Sequence, residues 1–528
     1  MKPGGETELL ILGGGINGVA IARDAVQRGL KVQLIEAKDL CWGTSAGSTR
    51  LIHGGLRYLE HFEFGLVRES LRERKILSHQ RPWRVQPIEL FLAVQNGDPH
   101  WASTLLCGLW MYQAIALRWP FGADASSVST RWLRKHFPHL RSDGVKAALR
   151  YFDCQVRYPE RLVMELWNEA AAGGARLEKG HRVETLLRHD GRVVGAELDD
   201  GRCVYGQVVV NATGHWVDAL GQRSFHDYKP QLVTTRGSHI MLPRRKGMPR
   251  SGLYTYARSD GRAFFTLPWG DSIWVGTTDI FHTDPDVFSA TEDEVSYLLN
   301  EANQLLPGAD YQRNEIILTR CGVRPLARGL GGRGKKAGSV SRAHRVLRPK
   351  DPGGCPGMIS VLGGKLTTHL SLAEEVVDAA CALLGRKLHC RSADDLESVD
   401  GRPLPPLPEP VQTRLEAVYG PYTHVLADLI ERDPSLKQPL LPGLPLIRAE
   451  VAYAFVHEAA DNLDDFYHRR CMLTTEDLPW TDKARPLAVA VGGVLGWDPA
   501  RSEAELERWV GALAHHDPLN AKRVQKRL

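Results

Sequence analysis

The sequence predicts an α/β protein with a parallel sheet near its N-terminus, an antiparallel sheet in the middle and helices at its C-terminal end. Residues 8–12 read as a buried strand, followed by a glycine turn, a helix over 19–28 and a second strand over 31–35. This strand–helix–strand pattern is typical of parallel sheets covered on both faces. Short strand-like runs between Leu232 and Thr278 predict the antiparallel sheet. The region after Gly401 is predicted to be mostly helical.

The bulk composition excludes several classes of protein. A chain of 528 residues with 43% hydrophobic residues has room for two or three domains. A net charge of +5 is mild, so no nucleic-acid partner is expected. Nine cysteines without a CxxC pair predict reduced thiols in a cytosolic compartment and no metal site. The polar segment Met1–Thr7 predicts no secretory signal peptide.

The longest apolar stretch, Leu105–Leu117, is too short to cross a membrane. A spanning helix needs about 18–20 residues of this kind. A core or cap helix is therefore the favoured interpretation, and any membrane contact would lie along the surface.

A glycine motif follows the first predicted strand. Gly13, Gly15 and Gly18 match the pattern G-x-G-x-x-G between a strand and a helix. The first glycine permits a tight turn, the second lets the backbone approach a pyrophosphate, and the third permits close helix–strand packing. Glu36 comes eighteen residues after Gly18, where a carboxylate bonds the ribose hydroxyls. The motif in this context predicts a Rossmann-like dinucleotide-binding domain.

The choice between NAD and FAD depends on a second segment. Asn211–Gly214 comes at the end of a later strand, and it resembles the second cofactor contact of two-domain flavoproteins of the glutathione-reductase type. The chain has one dinucleotide fingerprint, as expected when no separate NAD(P) domain exists. FAD is therefore the predicted cofactor.

The segment Gly43–Glu60, with its run His-Gly-Gly-Leu-Arg-Tyr-Leu-Glu, resembles the FAD-linked glycerol-3-phosphate dehydrogenases, respiratory enzymes that reduce quinone. The resemblance extends over essentially the whole chain. It continues through residues 151–154, 236–239, 276–279, 322–326, 363–368, 450–453 and 469–470.

The resemblance implies three domains. They are a discontinuous FAD-binding domain of the glutathione-reductase/D-amino-acid-oxidase type, a substrate-binding cap with an antiparallel sheet, and a C-terminal helical domain. The expected boundaries are 1–92, 145–230 and 320–390 for the first, 93–144 and 231–319 for the second, and 401–528 for the third.

The resemblance also implies an activity. The expected reaction oxidises sn-glycerol 3-phosphate to dihydroxyacetone phosphate by hydride transfer to non-covalent FAD, with quinone as the electron acceptor. A cytoplasmic enzyme attached peripherally to the cytoplasmic face of the inner membrane is expected, and so is a homodimer.

Substrate chemistry selects the candidate site residues. A phosphorylated alcohol needs cations for its phosphate and a group that accepts the hydroxyl proton. Arg57, Arg324, Arg342 and Lys365 match positively charged family positions, and Tyr58 is a further substrate candidate. Arg324 is the strongest of these because a guanidinium binds phosphate oxygens bidentately.

His239 is the predicted general base, because an unperturbed pKa near 6.5 suits proton uptake at neutral pH. His53 and a water molecule remain open as alternatives. The predicted catalytic set is therefore His239, Arg324, Lys365 and Arg57.

The predicted cofactor contacts come from the glycine turn, the second strand end, the Gly43–Glu60 segment and two later turns. They are Gly13, Gly15, Asn17, Gly18, Glu36, Thr44, Ser45, His53, Gly54, Gly55, Ala212, Thr213, Gly214, Gly363, Gly364, Lys365, Leu366 and Thr367.

Three alternative functions remain. A glycerophosphate oxidase would perform the same chemistry with oxygen as acceptor. An amine or amino-acid oxidase of the same fold would use Arg324 for a carboxylate. A flavin-binding protein without turnover would bind FAD that glycerol 3-phosphate does not reduce.

Overall fold

The architecture is taken from a computed structural model. It describes residues 7–98, 100–116, 125–141, 143–329, 340–394 and 401–528, without the side chains of Arg57, Glu60 and His61. Within this part the strands are β1 (Leu9–Leu12), β2 (Val32–Glu36), β3 (Leu51–Ile52), β4 (Val85–Gln95), β5 (Ser126–Val128), β6 (Val145–Val156), β7 (Arg176–Lys179), β8 (Val183–His189), β9 (Arg192–Leu198), β10 (Cys203–Tyr205), β11 (Val208–Asn211), β12 (Leu232–Pro243), β13 (Gly252–Tyr256), β14 (Ala263–Trp269), β15 (Ser272–Gly276), β16 (Ile280–Phe281), β17 (Leu318–Ala327), β18 (Arg345–Leu347) and β19 (Met358–Leu362).

The α-helices of the same residues are α1 (Ile16–Gln27), α2 (Phe64–Gln80), α3 (Ala102–Ile115), α4 (Thr130–His136), α5 (Pro159–Ala172), α6 (Val217–Ser224), α7 (Glu292–Leu305), α8 (His369–Leu384), α9 (Glu409–Tyr419), α10 (Thr423–Arg432), α11 (Arg448–His457), α12 (Ala484–Leu495), α13 (Pro499–His516) and α14 (Pro518–Gln525).

A six-stranded sheet with the order β18-β19-β11-β1-β2-β7 forms the nucleotide-binding part. All its pairings are parallel except that of the edge strand β18. All four residues of β1 are buried, and α1, α5 and α8 supply apolar side chains to the core around it. Because neighbouring parallel strands end at the same edge, the turns after β1, β11 and β19 converge there.

A ten-stranded, mostly antiparallel sheet forms the second part. Its long strand β12 pairs with β15, β16 and β17. Separate apolar cores, one on α7 and the other including α9 and α10, pack against this sheet. Helices α11 to α14 share an additional core of their own. The predicted parallel sheet, antiparallel sheet and helical C-terminal region are all present in the described residues.

Several elements differ from their predicted form. The two short strands predicted between Leu232 and Leu242 are one strand, because β17 pairs with it continuously from Leu232 to Met241. The strand predicted over 204–210 is divided at Gly206, where a Cβ atom would lie 2.6 Å from the Leu10 side chain. The helix predicted over 451–470 ends at His457, and Asp465–Arg470 forms a π-helical turn. Most of the loop predicted over 329–338 lies outside the described residues.

The strand pairings cross between the predicted domain segments, whose boundaries stay a prediction. The predicted FAD-binding segments contain β3, β6, most of β4 and most of β17, yet these strands pair in the ten-stranded sheet. Sequence spacing did not show this, because β4, β6 and β17 join the sheet through partners far away along the chain.

Candidate active site

The glycine turn after β1 is shaped by close backbone contacts. Gly13 has a φ angle of +107°, and a Cβ atom there would lie 2.6 Å from the carbonyl oxygen of Ala212. A Cβ atom at Gly18 would lie 1.9 Å from the carbonyl oxygen of Gly13. Only glycine fits these positions, because L side chains avoid such a φ angle and the obstructing atoms belong to the backbone. The turn has the geometry that the motif predicts.

A cavity of about 960 Å³ opens at the carboxyl edge of the parallel sheet. This volume lies in the upper part of the range for ligand pockets. The lining includes these predicted cofactor residues: Gly13, Gly15, Asn17, Glu36, Thr44, Ser45, Ala212, Thr213, Gly214, Gly363, Gly364, Lys365 and Leu366. The lining does not include Gly18, His53, Gly54, Gly55 or Thr367.

The N-terminal end of α1 offers polar groups to the cavity. Gly15 is the N-cap of α1 and has no side chain to satisfy the first N–H groups. Ser45 accepts a hydrogen bond from the Ile16 N–H at 3.1 Å, and Asn17 donates Nδ2–H to the Gly363 carbonyl at 3.4 Å. The Oδ1 atom of Asn17 is buried and has no partner in the described part of the chain. Free N–H groups and a positive helix end fit the pyrophosphate of a dinucleotide.

Glu36 supports the glycine turn as well as lining the cavity. Its carboxylate accepts hydrogen bonds from the Gly14 N–H at 2.6 Å and the Lys38 N–H at 2.8 Å. Burial raises the pKa of Glu36, although the two N–H donors oppose that change. Each carboxylate oxygen retains acceptor capacity, so these bonds leave room for a ribose hydroxyl.

Three basic side chains and one carboxylate form a cation cluster, defined as Asp279, Arg324, Arg342 and Lys365. The Nη1 atom of Arg324 lies 3.0 Å from Asp279 Oδ1, and Nη2 of Arg342 lies 3.5 Å from Asp279 Oδ2. Burial raises the pKa of Asp279, but Arg324 and Arg342 lower it below its ordinary value. Burial also lowers the pKa of Arg324, and the charge of Asp279 compensates only in part.

Lys365 connects the cation cluster to the cavity, which it lines. Its Nζ donates to Ser70 Oγ at 2.8 Å and lies 4.2 Å from the centre of the Tyr58 ring. Burial lowers the pKa of Lys365, while Tyr58 and Glu69 raise it in part. Burial raises the pKa of the Tyr58 hydroxyl, but Lys365 and Arg342 lower it below its usual range. The cluster therefore carries surplus positive charge next to the cavity.

The cations of the cluster also affect the pKa of His53. Burial lowers the pKa of His53 to about 3, and the charges of Lys365 and Arg342 contribute to that change. Its backbone N–H donates to Thr367 Oγ1 at 3.2 Å. The side chain of Arg57, the remaining predicted cation, lies outside the described part of the structure.

The loop that carries His53 and Gly54 is held by residues that the sequence analysis did not select. The Gly54 N–H donates to the hydroxyl of Tyr112 at 2.7 Å, and that hydroxyl donates to Asp153 at 2.8 Å. Arg74 completes the network with a 2.6 Å bond to the same carboxylate. Asp153 stands in one of the family motifs, but no local pattern connects it to Tyr112 or Gly54.

His239, the predicted general base, is fully buried in β12 and does not line the cavity. Its Nε2 lies 3.0 Å from Thr49 Oγ1, its Nδ1 has no partner among the described residues, and its ring stacks on Trp274. Burial holds the pKa of His239 well below 6.5, and the charge of Arg324 acts in the same direction. The pKa of His239 is therefore lower than the ordinary value expected from the sequence, because burial and the neighbouring arginine charge disfavour the imidazolium.

The C-terminal domain is fastened beside the cavity by a second group of charges, the charge clamp. It consists of Lys179, Arg469, Arg470, Asp39, Asp464 and Asp465. Arg470 binds both carboxylate oxygens of Asp39, at 2.7 and 2.9 Å, and Arg469 adds a bond of 2.6 Å. Asp39 follows β2, so the clamp joins the C-terminal domain to the nucleotide sheet.

Comparison with known proteins defines the class. A family described as "FAD dependent oxidoreductase" matches residues 8–378. A second family, "C-terminal domain of alpha-glycerophosphate oxidase", matches residues 359–502. With the cavity at the dinucleotide turn, these matches define an FAD-dependent oxidoreductase.

Individual relatives show which family of FAD-dependent oxidoreductases the chain belongs to. Glycerol-3-phosphate dehydrogenase of Synechocystis sp. is 33% identical over 95% of this chain and 95% of its own length. The mitochondrial glycerol-3-phosphate dehydrogenase of Rattus norvegicus is 30% identical over 95% of this chain and 72% of its own length. The chain belongs to the FAD-dependent glycerol-3-phosphate dehydrogenase family.

Solved structures show the same fold. The glycerol-3-phosphate dehydrogenase of Bacillus halodurans, complexed with FAD, superposes with a TM-score of 0.75 at 23% identity and covers 98% of this chain and 96% of its own. The L-α-glycerophosphate oxidase of Mycoplasma pneumoniae, with FAD bound, has a TM-score of 0.57 at 18% identity and covers 74% of this chain and 99% of its own.

Proposed function

We propose that this enzyme oxidises sn-glycerol 3-phosphate to dihydroxyacetone phosphate and passes the electrons to a membrane quinone. The cation cluster next to the dinucleotide cavity carries the proposal. Arg324 and Arg342 share one carboxylate there and Lys365 adds a third positive charge, so a dianionic phosphate would be attracted to the group. When bound, FAD supplies the two-electron acceptor for the alcohol.

Phosphate recognition is assigned to Arg324 and Arg342. Their two guanidinium groups already share Asp279, which holds both in place before the substrate arrives. Arg324 also donates to Thr277 Oγ1 at 3.1 Å, and its guanidinium packs where a Cβ atom on Gly237 would stand. Such preorganisation reduces the entropy lost on binding. Tyr58, Lys365 and Arg57 are proposed to complete the substrate site.

Proton removal from the C2 hydroxyl is assigned to His239. If the Nε2–H of His239 donates to Thr49, its Nδ1 retains a lone pair with no protein partner in the described residues. The lowered pKa keeps the imidazole neutral, which is the form that accepts a proton. His53 is the alternative, because the charges of Lys365 and Arg342 in the proposed substrate site act on its pKa. Loss of the proton from O2 and of a hydride from C2 leaves the ketone.

The acceptor and location are proposed from the resemblance to respiratory enzymes. Three relatives are named glycerol-3-phosphate dehydrogenases, and one of these names is aerobic glycerol-3-phosphate dehydrogenase. These names support a dehydrogenase, and the resemblance is the basis for proposing quinone as acceptor, non-covalent FAD, and attachment to the cytoplasmic face of the inner membrane. Among the described helices, none combines the length and the apolar character that crossing a bilayer requires. A glycerophosphate oxidase is the second candidate, since one family match bears that name.

The first experiment adds substrate to the purified, FAD-containing enzyme without oxygen. sn-Glycerol 3-phosphate should bleach the visible flavin band, whereas glycerol at the same concentration should not, because it lacks the phosphate. A band that persists with sn-glycerol 3-phosphate would disprove the proposed reaction. Bleaching of the flavin band by amino acids instead would support the alternative function of an amino-acid oxidase.

A second experiment identifies the acceptor. The reduced enzyme is mixed either with air-saturated buffer or with a soluble quinone, and reoxidation of the flavin is followed. Faster reoxidation by quinone, with little hydrogen peroxide formed in air, is expected. Stoichiometric peroxide would assign the enzyme to the oxidases.

A further inference from the structure

The C-terminal domain supplies part of the lining of the dinucleotide cavity. Its lining residues come from two places, the segment around the π-helical turn and helix α13. On α13 they are Arg508, Gly511, Ala512 and His515. Their spacing of three, one and three residues places all four on one face of the helix. That face of α13 therefore borders the same space as the glycine turn after β1.

The middle of this helix face has no side chain. Gly511 lies inside α13, where glycine is among the least favourable residues for helix stability. A Cβ atom at Gly511 would meet no other atom within 4 Å. Neither the helical backbone nor a neighbouring side chain therefore requires glycine at this position. A bulky ligand that lies against α13 would explain why the side chain is missing here.

Two buried side chains next to α13 keep polar atoms without a partner. Asp464 is 5% exposed and Arg469 is 1% exposed, and both line the cavity. Asp464 Oδ2 accepts a hydrogen bond from Arg469 Nη2 at 2.6 Å, but Asp464 Oδ1 and Arg469 Nη1 have no partner in the described chain. The charge clamp is thus balanced in charge but retains unused hydrogen-bonding atoms. Because buried polar atoms are nearly always hydrogen-bonded, these two indicate a polar ligand. We define the C-terminal wall as Asp464, Arg469, Arg508, Gly511, Ala512 and His515.

Contacts at both ends hold the C-terminal wall against the nucleotide sheet. The charge clamp holds the π-helical turn through Asp39, which follows β2. At the end of α13 the ring of His516 packs against Trp42 and Phe288, with ring centres 5.0 and 5.9 Å apart. Trp42 and Phe288 also line the cavity. Contacts within the protein therefore fix the wall, and such preorganisation reduces the entropy lost on binding.

We infer that the C-terminal domain is part of the FAD site and that the C-terminal wall contacts the adenosine half of the cofactor. The adenosine half is assigned from Glu36, which ends β2 where a carboxylate bonds the ribose hydroxyls. Burial raises the pKa of Glu36, and the charge of Arg469 is among the influences that lower it. Glu36 and Arg469 are therefore near enough to meet one nucleotide, and a cation there also suits its pyrophosphate.

FAD bound in this way connects two parts of the chain. It would contact the glycine turn of the nucleotide sheet and the C-terminal wall at the same time. A ligand that binds only the docked arrangement stabilises it, so FAD should strengthen the attachment of the C-terminal domain. Neither the proposed substrate nor the proposed acceptor enters this assignment.

The first test titrates the full chain, freed of its cofactor, with FAD. Gly511→Trp places a large side chain on the face of α13 that borders the cavity and should raise the dissociation constant for FAD by about tenfold or more. The matched control is Gly493→Trp in α12, a helical glycine whose Cβ would also meet no atom within 4 Å but which does not line the cavity. It should bind FAD as the wild type does. Equal dissociation constants for the two variants would overturn the inference.

ADP separates the two halves of the cofactor. It contains the adenosine and the pyrophosphate but no isoalloxazine ring. Gly511→Trp should therefore weaken the binding of ADP by the same factor as that of FAD. Weaker FAD binding with unchanged ADP binding would overturn the assignment, because the wall would then border the flavin half. Since no substrate is present, failure of the proposed reaction would not affect either result.

A charge introduced at Ala512 provides an independent check. Ala512→Glu directs a carboxylate towards the pyrophosphate and should weaken FAD binding about fivefold more than the isosteric Ala512→Gln, the factor that a like charge at contact distance in water produces. Ala514→Glu adds the same charge about 200° further around α13, at an exposed position. It should bind FAD normally. Equal weakening by Ala514→Glu and Ala512→Glu would contradict a contact with this face.

Hydrogen exchange tests the wild-type chain without any substitution. The backbone amides of α13 should exchange with deuterium more slowly when FAD is bound, because the cofactor lies against the helix. Helix α9 also belongs to the C-terminal region but packs on the ten-stranded sheet, so it serves as the reference. Greater protection of α13 than of α9 supports the inference. Protection confined to the nucleotide sheet, with α13 unchanged, would overturn it.

Discussion

The two buried charge groups of this enzyme differ in their balance. The charge clamp pairs three cations with three buried carboxylates at the junction of the nucleotide sheet and the C-terminal domain, and Lys179 also meets the exposed Asp461 at 2.9 Å. In the cation cluster Arg324 and Arg342 share one buried carboxylate, and Lys365, which lies over the Tyr58 ring, adds a third positive charge next to the cavity. A balanced group satisfies itself and supports the structure, whereas surplus buried charge is costly unless a ligand compensates it. Imbalance, rather than burial alone, distinguishes the binding site.

The largest effect is predicted for a substitution that breaks the charge clamp. Asp39→Ala leaves Arg469 and Arg470 buried without their shared carboxylate, which should lower the free energy of unfolding by about 3–5 kcal/mol. Urea denaturation at saturating FAD measures the change. Glu292→Ala, which removes an exposed ion pair with Arg313, should cost less than about 1 kcal/mol. Equal losses in both variants would contradict the structural role of the clamp.

The same carboxylate predicts a pH dependence. Burial raises the pKa of Asp39, but Arg470 and Arg469 lower it far below its unfolded value. A group with a lowered folded pKa stabilises the protein above its unfolded pKa, about 4, and loses that contribution as the pH falls. Wild-type stability should therefore decline in acid more steeply than that of Asp39→Ala. Parallel acid curves would contradict this.

The second-largest effect is predicted for a substitution that removes one positive charge from the cation cluster. Arg324→Ala should retain FAD but weaken binding of sn-glycerol 3-phosphate by about 1.5–3 kcal/mol, the contribution of a charged hydrogen bond. Stability should fall little, because burial already disfavours this guanidinium. Titration of the flavin spectrum measures affinity. Arg245→Ala, which removes the ion pair with Glu315 elsewhere, should leave affinity unchanged.

A third change affects packing without altering charge. Gly18→Ala places a Cβ atom 1.9 Å from the Gly13 carbonyl oxygen, so helix α1 must shift. Overpacking of this kind costs about 1–3 kcal/mol and should reduce the FAD content of the purified protein. Gly493→Ala in α12 meets open space and should be neutral or stabilising by up to about 1 kcal/mol. Full FAD content in Gly18→Ala would contradict the close packing.

The smallest effect concerns the hydrogen bond below the His53 loop. Tyr112→Phe removes the acceptor for the Gly54 N–H and should lower kcat/KM about fivefold, equivalent to about 1 kcal/mol, with FAD binding unchanged. Tyr467→Phe is the control, because its buried hydroxyl has no partner within the described residues. Steady-state kinetics with a dye acceptor measures both. Equal effects would show that the network does not position the loop.

Sequence patterns predicted the cofactor half of the site better than the substrate half. Gly13, Gly18 and Glu36 stand within one strand–helix–strand unit, so spacing along the chain predicts their arrangement. Asp279 and Arg342 form an ion pair although they are 63 positions apart in the sequence, and no periodicity connects them. Tyr112 and Asp153 were missed for the same reason, although both lie in stretches that the sequence analysis discussed.

The sequence by itself determined the βαβ unit with its glycine turn, the FAD cofactor and the family, because these depend on local backbone conformation and on ordered motifs. Tertiary structure decided which strands share a sheet, the low pKa of His239 and the balance of each charge group. It also decided that α3 turns Trp110 and Met111 outward. Burial, desolvation and the pairing of charges depend on which distant segments meet, and that information is not contained in the spacing of residues along one segment.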